Sequence, residues 1–174
     1  MEIYLARHTS VDFPRGTCYG FTDVPLRATF RREATATRLR LGNLTFDHVY
    51  TSPLSRAAKL ATFCGYPAAE RDERLKEMNM GDWEMQRFDD IIDERLQLWD
   101  DFLNQPTTGG ESFRDLYARV AAFLDDLNRK DYRRVAIFAH GGVLICAQVY
   151  AGAIPLEDGF KHLTSYGGVV KINI

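Results

Sequence analysis

The 174-residue sequence predicts a three-layer α/β fold: a mainly parallel sheet with helices on both faces and a helical insertion over the edge where ligands bind. Three observations predict it. Short apolar runs alternate with longer stretches of helical period. Several of the apolar runs break off in a cationic or hydroxyl residue. One polar segment, about 78–106, interrupts the alternation. No repeat, linker or low-complexity stretch divides the chain, so residues 1–174 read as a single domain around one core.

The elements follow in order. "EIYLA" is a buried strand that ends in Arg7 and His8. "TFRREATATRLRLGN" is a helix stopped near Gly42 and Asn43. "FDHVYTS" is a second strand, with a helix after it in "SPLSRAAKLATFCG"; Ser52 is the expected N-cap and Pro53 the expected first helical residue. The polar segment 78–106, carrying Trp83 and Trp99, reads as a helical, lid-like insertion. "GGESFRDLYARVAAFLDDLNRK" is an amphipathic helix with Phe113, Leu116, Val120, Phe123, Leu124 and Leu127 on one face. "RRVAIFAHGG" is a strand, "GGVLICAQVYAG" an apolar helix and "GGVVKINI" a closing strand.

Composition narrows the function. The formal charge is −2 with no block of like charges, which excludes bulk nucleic-acid or anionic-membrane binding. No apolar run approaches the roughly 20 residues of a membrane span. Arg7 and His8 interrupt the first apolar stretch, so no signal-peptide pattern is expected. Cys18, Cys64 and Cys146 form no C-x-x-C and cannot all pair within one chain, which points to a reducing, cytoplasmic setting.

Three strand endings carry the chemistry. The first delivers Arg7 and His8. The second delivers Ser52 and, a helical turn later, Arg56. The third delivers His140, then Gly141 and Gly142. In a parallel sheet these endings share one edge, and helix N-termini there aim N–H groups at a ligand. Two Arg and two His gathered without an anion would repel one another. A phosphoryl group suits the forked guanidinium donors. There is no G-x-x-x-x-G-K-[ST], no cysteine followed by Arg six residues on, and no H-E-x-x-H. Asp89–Asp90, Asp100–Asp101 and Asp125–Asp126 read as solvated helix faces, so neither metal nor cofactor is expected. Histidine remains as the nucleophile. One of the two imidazoles should keep a free ring nitrogen while its other nitrogen donates to a backbone carbonyl; the other His can be cationic. Glu77 is the candidate proton donor to the leaving group.

These segments together resemble the histidine phosphatase superfamily, the phosphoglycerate mutase-like proteins. "ARHTS" resembles its R-H-G signature, "TSPLSRAAKLA" its S-x-L-x-R-A segment and "LKEMNMGDWE" its L-x-E-x-x-x-G-x-W-E-G segment. "GGESF" and "FAHGGVL" resemble its late G-G-E-S and S-H-G-G segments. The resemblance implies that His8 is the phosphorylated nucleophile, that Glu77 is the acid, and that Arg7, Arg56 and His140 bind phosphate. Within the family, "GTCYGFTDVPL" resembles α-ribazole-5′-phosphate phosphatases, as does R-H-T. The implied partner is a small-molecule phosphate ester, and the implied substrate contacts are Arg7, Thr9, Cys18, Tyr19, Gly20, Arg56, Glu77, Trp83, His140 and Gly141. Tyr19 and Phe21 are expected to offer an aromatic face to a base. The rim segments bring no Lys or Arg cluster for a second anionic group. Thr9 and Met85 replace family glycines, and Pro14 replaces an Asn of the mutases. The alternatives are a broad phosphatase, a phosphoglycerate mutase, or a non-catalytic phosphate-binding module.

Overall fold

The computed structural model describes residues 1–94, 101 and 103–174. Among these, five strands form one sheet: β1 (Glu2–Arg7), β2 (His48–Thr51), β3 (Glu70–Arg71), β4 (Arg134–Ala139) and β5 (Val169–Asn173), in the order β3-β2-β4-β1-β5. β1 and β2 both pair parallel with β4, and β3 pairs parallel with β2. β5 alone is antiparallel, laid against β1. The C-terminal ends of β2, β4 and β1 are therefore neighbours in the middle of the sheet.

Alternation along the strands builds two cores. Ile3, Leu5, Val135, Ile137 and Ala139 face α3 (Phe113–Asn128) and α4 (Gly141–Tyr150). Ala6, Ala136 and Phe138 face the other way, onto α1 (Phe30–Leu41) and α2 (Ser55–Phe63). Strands covered on both faces read as near-continuous apolar runs, which is why "YLA" and "VAIFA" show no polar alternation. The six apolar residues expected along α3 are all buried. Ser112 starts that helix with a reciprocal capping box: its hydroxyl accepts from Asp115 N–H, and the Asp115 carboxylate accepts from Ser112 N–H. No helix among the described residues is long and apolar enough to cross a membrane.

Two expectations change. Helix α2 starts at Ser55, not at Pro53, and its N-cap is Leu54 in extended conformation. Ser52 is thus no cap; its hydroxyl is used elsewhere. In the expected insertion, the described residues form two single 3-10 turns, Gly81–Trp83 and Phe88–Asp90. Trp99 lies outside the described residues.

Met85 has φ of 68° and is the one non-glycine in left-handed conformation among the described residues. Its N–H donates to the Cys18 carbonyl, which fixes the turn, while its side chain is half-exposed. A side chain in this conformation costs roughly 1–2 kcal/mol. The departure from the family glycine is therefore a departure in strain. Met85→Gly should raise stability by up to about 1 kcal/mol after the added chain entropy of glycine, or roughly 2–4 °C in Tm at this size. Thermal unfolding measures it; a lower Tm would show that the Met85 side chain packs more favourably than its backbone is strained.

Candidate active site

The middle strand ends bring the predicted residues together. His8 follows β1 and is 2% exposed; His140 follows β4 and is fully buried. Their ring centroids lie 5.2 Å apart. The His8 Nδ1 is 2.7 Å from the Thr9 carbonyl oxygen. A carbonyl only accepts, so Nδ1 carries the hydrogen and Nε2 keeps its lone pair. This is the nucleophile geometry expected for one of the two imidazoles, and it falls on His8.

His140 is held differently. Its Nε2 lies 2.8 Å from Ser52 Oγ, which already accepts from Leu54 N–H at 3.3 Å. Where the Ser52 hydroxyl gives its hydrogen to Nε2, the imidazole hydrogen sits on Nδ1. That Nδ1 has no partner among the described residues. Burial, then the Arg56 charge, pushes His140 well below the usual histidine range. Burial, then Arg56, also lowers His8 to about 3. The expected cationic second histidine is therefore neutral here, because it is fully buried and, after that, because the Arg56 charge stands beside it.

Arg56 is the deepest cation, with no exposed surface. Its Nη1 donates to Thr22 O at 2.9 Å and its Nη2 to Gly20 O at 2.6 Å. Its nearest carboxylate, Asp23, stands 3.9 Å away. Arg7 donates from Nη1 to Thr164 O at 2.5 Å. Among the described residues, both arginines keep a buried, unpartnered Nε, and Thr9 keeps a buried, unpartnered hydroxyl. Buried donors without acceptors are costly, and a phosphoryl group would satisfy them.

Glu84, absent from the sequence-based set, organises the loop that holds Arg56. Its carboxylate accepts N–H from Gly20, Phe21, Thr22 and Met80 at 2.8–3.2 Å. Burial works against its charge, but the bonds from Thr22, Gly20 and Phe21 together hold it below the usual carboxylate range. Gly20 is required there: a Cβ would lie 1.8 Å from the Met78 carbonyl.

Glu77 lies across the site. Its oxygens accept from Met78 N–H at 3.0 Å and from Gly142 N–H, in the first turn of α4, at 3.2 Å. A Cβ on Gly142 would approach Glu77 Oε1 to 2.4 Å, so the glycine permits the contact. Arg119 of α3 pins the chain from behind by donating to the Glu77 carbonyl at 2.7 Å, and it is ion-paired with Glu111.

The rim differs from expectation. A cavity of about 230 Å³ lies beside Arg7 and Glu77, walled by Tyr19, Met78, Met80 and Leu163 with Gly141 at its floor. Trp83 is not part of that wall: it is 1% exposed in the core and donates from Nε1 to Asp93. Cys18 is also core, with burial pushing its thiol up to about 12. Phe21 packs beneath Lys76 and Arg119. Gly20 acts through its carbonyl on Arg56. Of the rim residues expected to touch substrate, Tyr19 and Gly141 line the cavity. Tyr166, which no sequence motif marks, sits over the Arg7 guanidinium at 4.0 Å and 5.5 Å from the His8 ring. His48, by contrast, starts β2 and pairs with Glu70.

The family model of the histidine phosphatase superfamily (branch 1) matches residues 3–174. The chain belongs to that superfamily. The crystal structure of the α-ribazole phosphatase from Shigella flexneri superposes on this histidine phosphatase with a TM-score of 0.90 at 27% identity, covering 100% of this chain and 91% of that one. A protein of Hydrogenobacter thermophilus named "Putative phosphoserine phosphatase 2" is 26% identical over 181 residues, 99% of this chain and 89% of its own. The Salmonella choleraesuis "Probable phosphoglycerate mutase GpmB" is 30% identical over 156 residues, 84% of this chain and 72% of its own.

The neutral histidines make stability pH-dependent. Below the ordinary histidine value of 6.5 the unfolded chain takes up a proton at each imidazole and the folded chain does not. Stability therefore falls as pH falls, by up to about 1.4 kcal/mol per pH unit for each buried imidazole. For His8 the window runs from 6.5 down to about 3. Urea unfolding of the anion-free protein between pH 6 and 5 should show the slope, and His8→Asn should make it shallower by about one proton. An unchanged slope in His8→Asn would show that His8 is not the titrating group.

Proposed function

We propose that this histidine phosphatase is a phosphomonoesterase that hydrolyses α-ribazole-5′-phosphate through a phosphohistidine at His8. The observation that carries the reaction is the fixed tautomer of His8, whose Nε2 lone pair is free beside two arginines with unpartnered Nε groups.

The steps follow from the geometry. Arg7 and Arg56 take up the phosphoryl oxygens, with N–H groups at the start of α4 and the Nδ1–H of His140 as further donors. His8 Nε2 attacks phosphorus, the P–O bond to the ribose 5′ oxygen breaks, and Glu77 gives that oxygen its proton. Water then attacks the phosphohistidine while Glu77 takes the water proton. Inorganic phosphate leaves and His8 is again neutral.

The substrate assignment rests on the cavity beside Glu77. The leaving group must lie there to receive its proton. Its walls of Met78, Met80, Leu163 and Tyr19 offer apolar and aromatic surface. A benzimidazole riboside buries more apolar area on such walls than a compact, acidic phosphoglycerate does. The superposition with an α-ribazole phosphatase supports the same reading.

A side-by-side assay tests it. α-Ribazole-5′-phosphate should be hydrolysed with higher kcat/KM than 3-phosphoglycerate, phosphoserine or a hexose phosphate; a better rate on any of these overturns the substrate. His8→Ala should abolish turnover. Glu77→Gln should depress turnover of the riboside at least 100-fold yet spare 4-nitrophenyl phosphate, whose leaving group needs no proton, on the usual scale of general-acid catalysis of about 10²–10⁴. Equal losses on both esters would remove Glu77 as the acid.

Metal independence also follows, because the arginines meet the phosphoryl charge. Turnover should survive EDTA, and loss on chelation with rescue by magnesium would refute this account of the charge.

A further inference from the structure

Two tyrosines cover the two phosphate arginines. Tyr166 lies over Arg7 at 4.0 Å, and Tyr19 lies near Arg56 at 5.4 Å. Their hydroxyls meet at 3.1 Å. The pair bridges from one arginine to the other above His8. Tyr166 is 40% exposed, so it stands in the mouth of the site and not in the core.

Two cavities meet this bridge, both lined by Tyr19 and one of them also by Tyr166. The one described above contains Glu77. The second, about 410 Å³, is lined by Tyr19 and Tyr166 themselves, by Phe13 and Ser10, and by Arg15 and Arg27. Tyr19 is common to both. The two differ in charge. The first pairs one arginine with one carboxylate. The second has two arginines and no acid, and neither Arg15 nor Arg27 is in an ion pair among the described residues. Arg27 spends its Nε on the Val11 carbonyl and has its terminal nitrogens left for other acceptors. Along the sequence the rim segments carry no basic cluster. The fold makes one, by bringing the ends of the segment 10–27 together through the Val11–Leu26 bridge.

We infer that the Tyr19–Tyr166 bridge is a specificity determinant that holds the leaving group on the Glu77 side and closes the Arg15–Arg27 cavity to it. This rests on the phosphomonoesterase reading and deepens it. With the bridge closed, an ester whose leaving group carries its own carboxylate or phosphate gains nothing from Arg15 and Arg27. It must place that second charge against Met78, Met80 and Leu163, or beside the Glu77 carboxylate, and the cost of burying it unpaired excludes it. Leaving groups without a second charge incur no such cost. Opening the bridge joins the cavities and gives the second anion two guanidinium partners.

The experiment compares kcat/KM for 3-phosphoglycerate with that for 4-nitrophenyl phosphate. The ratio cancels general damage to the phosphate site. Tyr166→Ala should raise it about tenfold, and adding Arg15→Ala and Arg27→Ala to that variant should return it to the starting value. Tyr166→Phe keeps the ring over Arg7 and removes only the hydroxyl contact; it should shift the ratio the same way by about threefold, and it decides the matter if Tyr166→Ala is inactive or unfolded. A ratio unchanged in Tyr166→Phe and Tyr166→Ala, or a rise that survives loss of both arginines, overturns the partition. Wild-type protein inactive on both esters overturns the phosphomonoesterase reading instead, so the two failures are distinguishable.

Discussion

Arg56 is a guanidinium with no exposed surface, and among the described residues the one carboxylate paired with it, Asp23, stands off at 3.9 Å. A buried charge of that kind destabilises a protein unless hydrogen bonds and neighbouring charges compensate it. Here the compensation is layered. The Gly20 and Thr22 carbonyls accept from its terminal nitrogens, and Glu84 fixes the loop that carries those carbonyls. Burial lowers the affinity of Arg56 for its proton, while Glu77, Tyr19, Asp23 and Glu84 raise it. The compensation falls short of a direct ion pair, and the remainder acts on the neighbours. Both histidines stay neutral. An imidazole has to be neutral to act as a nucleophile, and burial first, then the field that suits an anion, keeps His8 so.

The sheet makes this arrangement possible. Three adjacent strands point their C-terminal ends the same way, and the ladder runs past them: His8 N–H donates to Ala139 O and Ser52 N–H to Phe138 O. The site residues are thus held by backbone bonds continuous with the core. The antiparallel β5 adds what a parallel strand could not. It returns the chain to the same edge, so that the Gly168 carbonyl accepts from Arg7 N–H and Gly167 N–H donates to His8 O. Thr164 and Tyr166 reach Arg7 from that return.

Legibility in the sequence follows the same division. Arg7, His8 and His140 are readable because a charged residue that ends a buried strand in an α/β pattern has few other uses. The helices are readable where the apolar period is long, as in α3. Ser52 reads correctly as a residue of the ligand edge but incorrectly as a helix cap. Leu54 stays extended after Pro53, the helix starts later, and the freed hydroxyl turns to His140. The motifs of Cys18 and Trp83 point to the rim, yet an irregular segment has no period to show which side faces the core. Glu84, Arg119 and Tyr166 escape notice for a different reason. The first two act on backbone amides and carbonyls, for which a sequence has no letter. Tyr166 reaches its arginine only through the turn of an antiparallel edge strand.

The two glutamates that frame the site show how environment divides roles between identical side chains. Glu84 takes four amide hydrogens, three of them from consecutive residues, and its charge is locked into the scaffold beneath Arg56. A proton placed on it would break the loop that supplies the Arg56 carbonyls. Glu77 accepts from only two amides and lines an open cavity. A proton there disturbs no scaffold, since the chain at that point is held from behind by Arg119 through the carbonyl and not through the side chain. One carboxylate therefore keeps a buried cation in place, and the other faces the cavity without that scaffold duty. The motif that runs from Glu77 to Glu84 places both carboxylates from one short segment, and its glycine and tryptophan serve the distance between them: the 3-10 turn Gly81–Trp83 folds the chain back so that Glu84 reaches under the loop while Glu77 stays at the edge of the sheet.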